Sequence, residues 1–481
     1  MSKILFVGAE AMPFAATGGL GDVMGSLPAA VCRADAKADV RVVMPLYRAV
    51  GQVWRDQMKD EAVFEVELAW RKQYCGVKSL TKDGVTYYFI DNEYYFGRDG
   101  LYGHFDDGER YAYFCMAVLV MLEKIGFYPD VLHANDWQSA LSVVYLNRFF
   151  REKKGYESIK TVYTIHNIEY QGKYDFSILY DVFSLDEGMR GEMEYDGCIN
   201  LMKGAIVAAD IVSTVSPRYS EEIRSAEYAH ALEYIINDNA HKLRGILNGI
   251  DYVYYDPAAD EAIPCQFSAD TIAKKQNNKT ALQAELGLPI ASETPMLAII
   301  SRLASHKGLD LVTAVAKRLL CEQGVQLVVL GKGDAFYEDF FRALEAEHPD
   351  QARALICYDR ELSKKIYAAA DIFVMPSKSE PCGLSQMIAS RYGAVPVVRE
   401  TGGLYDSIKG YWICDGEVRG NGFTFAGYSA DELYDALCAA VALYRRPDAW
   451  QALVDKVMRV DFSWACSAEQ YLKMYKELLS H

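Results

Sequence analysis

Two short segments place cations, a carboxylate and glycines at the ends of apolar strands. In Ser301-Arg302-Leu303-Ala304-Ser305-His306-Lys307-Gly308, Arg302 and Lys307 follow one strand directly, at the carboxyl end where open α/β sheets place ligands. Two cations there could neutralise a diphosphate, or stand as ordinary solvated surface charges. In Pro376-Ser377-Lys378-Ser379-Glu380-Pro381-Cys382-Gly383-Leu384, Glu380 precedes a helix start and Gly383-Leu384 could offer backbone N–H groups to an anion. A hydroxyl and a phosphate could be held side by side in such a loop. Cys382, with no basic partner evident beside it, reads as a small buried residue rather than a catalytic thiol.

A third segment, Thr17-Gly18-Gly19-Leu20-Gly21-Asp22, follows the strand Ile4–Val7 and leads into a helix expected to begin near Asp22. Its glycines let the backbone approach a ligand closely, and the helix N-terminus favours phosphate. Phosphate or sugar binding is one reading and a plain strand-to-helix turn the other. Met24 stands where the dinucleotide fingerprint needs a third Gly, and the chain has no Walker A spacing. His133 and His166 end two successive apolar strands, which by topology puts both at one cleft. With no HxxxH or HExxH spacing and no two aspartates two residues apart, no metal or other cofactor is expected.

The elements that must carry these segments alternate short apolar strands with amphipathic helices, the pattern of parallel α/β architecture. Strands are predicted at Ile4–Val7, Val40–Met44, Val85–Ile90, Val131–His133, Thr161–Ile165 and Ile211–Thr214, with helices over Arg110–Lys124 and Ala140–Phe150. A second set runs through Met296–Ile300, Gln326–Leu330, Ala354–Cys357, Asp371–Met375 and Val395–Val398, which makes two doubly wound sheets in tandem. The stretch Asn248–Glu293, with Asp256-Pro257, Pro264 and the polar run Gln276–Lys279, reads as the boundary. The pattern TGGLxD occurs once in each half, at Thr17–Asp22 and Thr401–Asp406, and Phe462–Leu479 closes the chain as a helix.

At 481 residues the chain has room for two or three domains with cores of their own. Its formal charge of −16 repels polyanions, so nucleic-acid and anionic-membrane partners are not expected and an anionic ligand needs a local cationic island. Eleven dispersed cysteines without a CxxC pair fit reduced thiols. No apolar run reaches about 18 residues and the N-terminus lacks a leader pattern, so a cytoplasmic location is expected.

These motifs, in this order, resemble the bacterial glycogen synthase and plant starch synthase family, retaining glycosyltransferases of the GT-B fold. The resemblance runs nearly end to end: TGGLxDV at Thr17–Val23, HAxDW at His133–Trp137, TIHNxxYQG at Thr164–Gly172, TVSPxYSxEI at Thr214–Ile223, LNGID at Leu247–Asp251, SRLxxxKGLDL at Ser301–Leu311, PSxxEPCGLxQ at Pro376–Gln386 and RETGGLYDSI at Arg399–Ile408. It implies an α/β chain of two Rossmann-like doubly wound domains facing across a cleft. Residues 1–247 would form the acceptor side, 248–460 the nucleotide-sugar side, and 461–481 a helix packing back toward the first domain. It further implies transfer of glucose from ADP-glucose to the non-reducing end of an α-1,4-glucan, with these two substrates as partners. Carried onto matching positions, Arg302 and Lys307 would meet the departing diphosphate, Glu380 the sugar and oxocarbenium-like centre, and His166 the donor glucose. Gly18, Gly19, Asp22, Asn167, Asn248, Cys382, Gly383 and Leu384 would line the donor, Tyr358 would stack on the adenine, and Asp136 and Trp137 would lie on the acceptor side. The chain departs from the family at Ala16, where a Lys precedes TGGL, at Gln138, where a His often follows, and at Ala229-His230-Ala231, where a Gly-containing loop is usual. These departures leave open a catalytically weakened or regulatory glucan-binding paralogue, and a transferase with another nucleotide-sugar donor. The sequence assigns no oligomeric state.

Overall fold

The computed structural model describes residues 2–414 and 417–480. The chain divides into two compact units, Met1–Asn248 with Trp464–His481, and Gly249–Ser463. The first unit thus ends one residue beyond the expected 247, and its returning segment starts at 464 rather than 461.

In the first unit the continuous apolar runs become central strands, buried on both faces as parallel sheets require. The strands of this unit are β1 (Lys3–Val7), β2 (Asp39–Pro45), β3 (Lys59–Leu68), β4 (Arg71–Lys82), β5 (Val85–Asp91), β6 (Val131–Asn135), β7 (Lys160–Ile165), β8 (Ile211–Thr214) and β9 (Leu243–Gly245), of which β3, β4 and β9 are only partly buried. Among the described residues they form one sheet ordered β9-β8-β7-β6-β1-β2-β5-β4-β3. All neighbours are parallel except the pairs β4–β5 and β3–β4, which are antiparallel. The β3–β4 hairpin escapes the sequence reading because its outer strand alternates charge with apolar residues and lies at the edge, where charge guards against further pairing. Helices α1 (Gly19–Ala34), α2 (Asp107–Lys124) and α3 (Trp137–Tyr145) cover the sheet, and α3 runs on into a wider π turn over Leu146–Phe150.

The second unit contains β10 (Met296–Ile300), β11 (Gln326–Leu330), β12 (Ala352–Leu355), β13 (Ile372–Met375), β14 (Val395–Arg399) and β15 (Phe423–Phe425), in the order β12-β11-β10-β13-β14-β15. All five pairings are parallel, so this unit is doubly wound as expected. β12 starts two residues earlier than predicted, because an edge strand is only half-buried and its apolar signal is weak. The polar run Gln276–Lys279 is not linker: it lies in the helix Lys275–Glu285, where Lys275, Asn278 and Lys279 are buried. Lys279 pairs with Asp371 at 2.7 Å, and the Lys275 ammonium is held by the carbonyls of Tyr367, Ala368 and Tyr392 at 2.8–3.2 Å. The closing helix, α4 (Trp464–Leu479), belongs to the first unit and packs with α1.

Candidate active site

In the first unit α1 starts at Gly19, three residues before the predicted point, after Gly18 in an extended conformation. Gly18 and Gly19 are exposed, and a Cβ built on either meets nothing within 4 Å, so this turn offers bare backbone. Gly21 is glycine for the opposite reason: its Cβ would lie 2.3 Å from that of Ala16. The Gly18 N–H, expected to serve an anion, is instead donated to Glu10 Oε2 at 3.3 Å. Glu10, which the sequence reading passes over, is 3% exposed and also accepts from the Thr17 N–H at 2.6 Å, the Thr17 hydroxyl at 2.7 Å and the Tyr102 hydroxyl at 2.6 Å. Its only sequence signal is an acidic residue within an apolar run. Asp22 is half-buried in the first turn of α1.

Asp136, between β6 and α3, has φ 57° and ψ 178°, a region tolerated by little but glycine and costing about 1–3 kcal/mol elsewhere. The turn brings its carboxylate to the end of β7, where Oδ1 accepts from the His166 N–H at 2.8 Å and the Asn167 N–H at 3.4 Å. Burial, with a smaller push from the charge of Glu10, raises the Asp136 pKa to about 7 against the pull of those two donors. His166 holds Asn135 Oδ1 at 2.9 Å through Nε2, and burial lowers its pKa to about 3, so the ring is neutral at physiological pH. Asn167 Oδ1 accepts from the Glu169 N–H at 3.0 Å. Trp137 packs edge-on against Tyr111 at 5.3 Å and is so close to Gly172 that a Cβ there would lie 2.8 Å from the indole.

His133 does not share this site. It is fully buried inside β6, with Nδ1 2.7 Å from the Tyr475 hydroxyl and Nε2 2.5 Å from Thr164 Oγ1, and burial again lowers its pKa to about 3. Its neighbours on both sides are protein, which makes it a core tie between β6, β7 and α4. Gln138 and Asn248 are buried, and Gln138 Oε1 and Asn248 Oδ1 have no hydrogen-bond partner among the described residues. In the segment Ala229-His230-Ala231, His230 and Ala231 have φ 48° and 71°, left-handed values that a glycine adopts at no steric cost. Gln171 Nε2 donates to the His230 carbonyl at 2.9 Å and to that of Ile168 at 3.0 Å, tying this turn to the His166 loop.

In the second unit Lys307 Nζ donates to Glu380 Oε2 at 2.7 Å and the Ser377 hydroxyl donates to the same oxygen at 3.0 Å. Glu380 is 6% exposed. Gly308 (φ 70°) permits the approach of the two loops, since a Cβ there would lie 2.0 Å from the Pro376 carbonyl oxygen. The exposed Arg302 guanidinium has no protein partner among the described residues. The helix Ser385–Arg391 begins five residues after Glu380, so Glu380 sits in the loop that precedes it, as expected. Cys382 is buried, and Gln386 Nε2 donates to the Cys382 and Gly383 carbonyls at 3.2 and 2.9 Å, bracing the turn that presents Gly383 and Leu384. The second TGGL copy has a different task from the first. Cβ atoms on Gly402 and Gly403 would lie 2.0 Å from the Glu380 carbonyl oxygen and 2.1 Å from that of Cys382, so these glycines seat the Glu380 loop. Tyr358 is 80% exposed, directly before Asp359, which caps the helix Arg360–Ala369 by accepting from the Leu362 N–H at 2.9 Å.

The second unit therefore offers a cation locked to a carboxylate beside a free guanidinium, suited to a phosphate ester. The first offers a neutral imidazole, a carboxyl titrating near neutrality and an open glycine turn, suited to hydroxyl groups. Among the described residues no three His, Cys, Asp or Glu side chains are grouped as for a metal ion, and no helix is long and apolar enough to cross a membrane.

Two Rossmann-like units with these strand-end loops define a GT-B glycosyltransferase. The family described as starch synthase catalytic domain matches residues 3–238, and that described as glycosyl transferases group 1 matches residues 286–452. The chain is 45% identical over 479 residues to a glycogen synthase of Geobacillus thermodenitrificans, covering 99% of this chain and 98% of that one. It is 44% identical over 479 residues to one of Clostridium botulinum, covering 99% of each. The solved catalytic domain of starch synthase IV from Arabidopsis thaliana, bound to ADP and acarbose, superposes with a TM-score of 0.91 at 35% identity over 100% of both chains. The chain belongs to the glycogen synthase and starch synthase family.

Proposed function

We propose that the protein transfers glucose from ADP-glucose to the non-reducing 4-hydroxyl of an α-1,4-glucan with retention of configuration. Arg302 and Lys307 meet the diphosphate and take up the negative charge that grows on it as the bond from the sugar C1 to the phosphate oxygen breaks. Glu380 holds sugar hydroxyls and stabilises the oxocarbenium-like centre, and neutral His166 hydrogen-bonds the donor glucose with Asn167 beside it. The acceptor hydroxyl attacks on the face the diphosphate leaves, and its proton passes to the departing phosphate oxygen, so no protein base is required. Gly18, Gly19, Asp22, Asn248, Cys382, Gly383 and Leu384 line the donor, Tyr358 stacks on the adenine, and Asp136 with Trp137 serves the acceptor.

The observation that carries this reading is the partly buried Lys307–Glu380 pair together with the Arg302 guanidinium, unpartnered among the described residues, on the loops that follow the paired strands β10 and β13. Because these cations supply the positive charge, no metal takes part. The enzyme works in the cytoplasm, a reading supported by eleven cysteines that are all free thiols. The deciding experiment supplies purified protein with glycogen and a panel of ADP- and UDP-glucose, with and without EDTA, and follows nucleotide release and glucose incorporation. ADP-glucose turnover indifferent to EDTA is expected; absence of ADP release at millimolar donor would sink the reading. Ala16 favours a second reading, transfer from a different nucleotide sugar, which the same panel would reveal as turnover with UDP-glucose alone.

A further inference from the structure

We propose that Glu10 is a positioning residue, whose carboxylate sets the glycine turn for the donor by bridging Thr17 and Gly18 to the Tyr102 hydroxyl. The proposal rests on the transferase reading above. A turn built to expose backbone has few side chains to hold it: Gly18 and Gly19 have none, Ala16 contributes only a methyl group, and Thr17 alone carries a hydrogen-bonding side chain. Its position must come from hydrogen bonds, and those of Thr17 and Gly18 converge on the two oxygens of one buried carboxylate. All the donors to that carboxylate are neutral, and among the described residues it has no cationic partner. A buried carboxylate without a cation depends on such donors for its own solvation, so the turn and Glu10 fix each other.

Tyr102 makes the arrangement more than local, because it stands 92 residues away in a segment that is itself tied down. Asp107 Oδ2 accepts from the Gly103 N–H at 2.8 Å and the His104 N–H at 3.3 Å, and Arg110, wholly buried, donates to the Leu101 carbonyl at 3.1 Å and that of Tyr95 at 2.8 Å. Tyr102 is thus a fixed post, and Glu10 conveys its position to the glycine turn. The Gly18 N–H is spent inward on Glu10, leaving the exposed faces of Gly18 and Gly19 turned to the ligand.

The test compares the Michaelis constant for ADP-glucose in full-length wild type, Glu10→Ala, Glu10→Gln, Tyr102→Phe and the Glu10→Ala/Tyr102→Phe pair, with melting temperatures measured alongside. Glu10→Ala removes all acceptors and is expected to raise KM by about tenfold or more, the effect of losing hydrogen bonds to a charged group. Glu10→Gln can point its oxygen at the two N–H groups and its amide at the two hydroxyls, and should stay within about threefold of wild type. Tyr102→Phe should raise KM in the wild type and add nothing to Glu10→Ala, since it acts through Glu10. Wild-type KM in Glu10→Ala, or Gln as impaired as Ala, overturns the proposal. If Glu10→Ala does not fold, unchanged KM in Tyr102→Phe overturns it. Wild type that releases no ADP defeats the transferase reading together with this inference, whereas active wild type indifferent to Glu10 defeats the inference alone.

Discussion

Lys307 Nζ lies 2.7 Å from Glu380 Oε2 with both side chains mostly withdrawn from water, so each is the other's main counter-charge. Removing one partner of a buried pair strands the other, at a cost of about 3–5 kcal/mol. Lys307→Met is therefore expected to lower stability by about 3 kcal/mol and the transfer rate by about 10²–10³-fold. Glu380→Gln, which keeps the Ser377 contact and the volume, should lose comparable rate with a smaller drop in melting temperature. Calorimetry and initial rates on the two variants check this, and an unaltered melting temperature in Lys307→Met would contradict it.

Ala16 lies against Gly21 at the glycine turn, and Gly21 in turn is close to the Glu10 carboxylate. An ammonium introduced there adds a charge-assisted contact, of about 1.5–3 kcal/mol, to a donor carrying phosphate. Ala16→Lys should raise kcat/KM for ADP-glucose about tenfold or more, measured as ADP release at sub-saturating donor; a gain confined to another nucleotide sugar would favour the second reading.

Ala231 has φ 71° and carries a Cβ that glycine lacks. The left-handed conformation costs an L-residue roughly 1–2 kcal/mol, partly offset by glycine's greater freedom in the unfolded chain. Ala231→Gly should stabilise the protein by about 0.5–1 kcal/mol, and Ala229→Gly, two residues earlier at an ordinary φ, should destabilise it. Paired denaturation curves decide between these signs.

Acid should weaken the fold through its buried imidazoles. The folded pKa of His133 and His166 is about 3 against an ordinary 6.5, so between these values the unfolded chain binds more protons and stability falls as pH drops from 6.5 toward 3. Asp136 acts in the opposite sense, since its folded pKa of about 7 exceeds the ordinary 3.8 and its contribution is lost as pH rises through that window. Two imidazoles, half protonated in the unfolded chain at pH 6.5, against one carboxyl leave a net loss of about 1.5 kcal/mol between pH 6.5 and 5. The urea midpoint should fall accordingly, and His133→Gln should show a shallower slope.

The central strands were legible almost to the residue because a parallel sheet buries both faces and writes itself as continuous apolar runs. The β3–β4 hairpin was not, since it lies at the edge with one face in solvent and so carries no continuous apolar run. At the site, Arg302, Lys307, Glu380 and His166 could be named because each stands in a loop directly after an apolar strand. Glu10 could not, because the hydroxyl that explains it belongs to Tyr102, far off in sequence. His133 misled for a related reason: a strand-end histidine and a core histidine look alike until the Tyr475 hydroxyl from the last helix is found beside the ring.

That contact has a consequence for biogenesis. The His133 ring finds its Nδ1 partner only in α4, while the chain spends residues 249–463 building the other unit before α4 is made. On a ribosome adding about 5–20 residues per second, the nascent first unit waits roughly ten to forty seconds with a gap where α4 will sit. A product cut short before Trp464 would carry that gap permanently, exposing the face of α1 that α4 covers to chaperones and proteases.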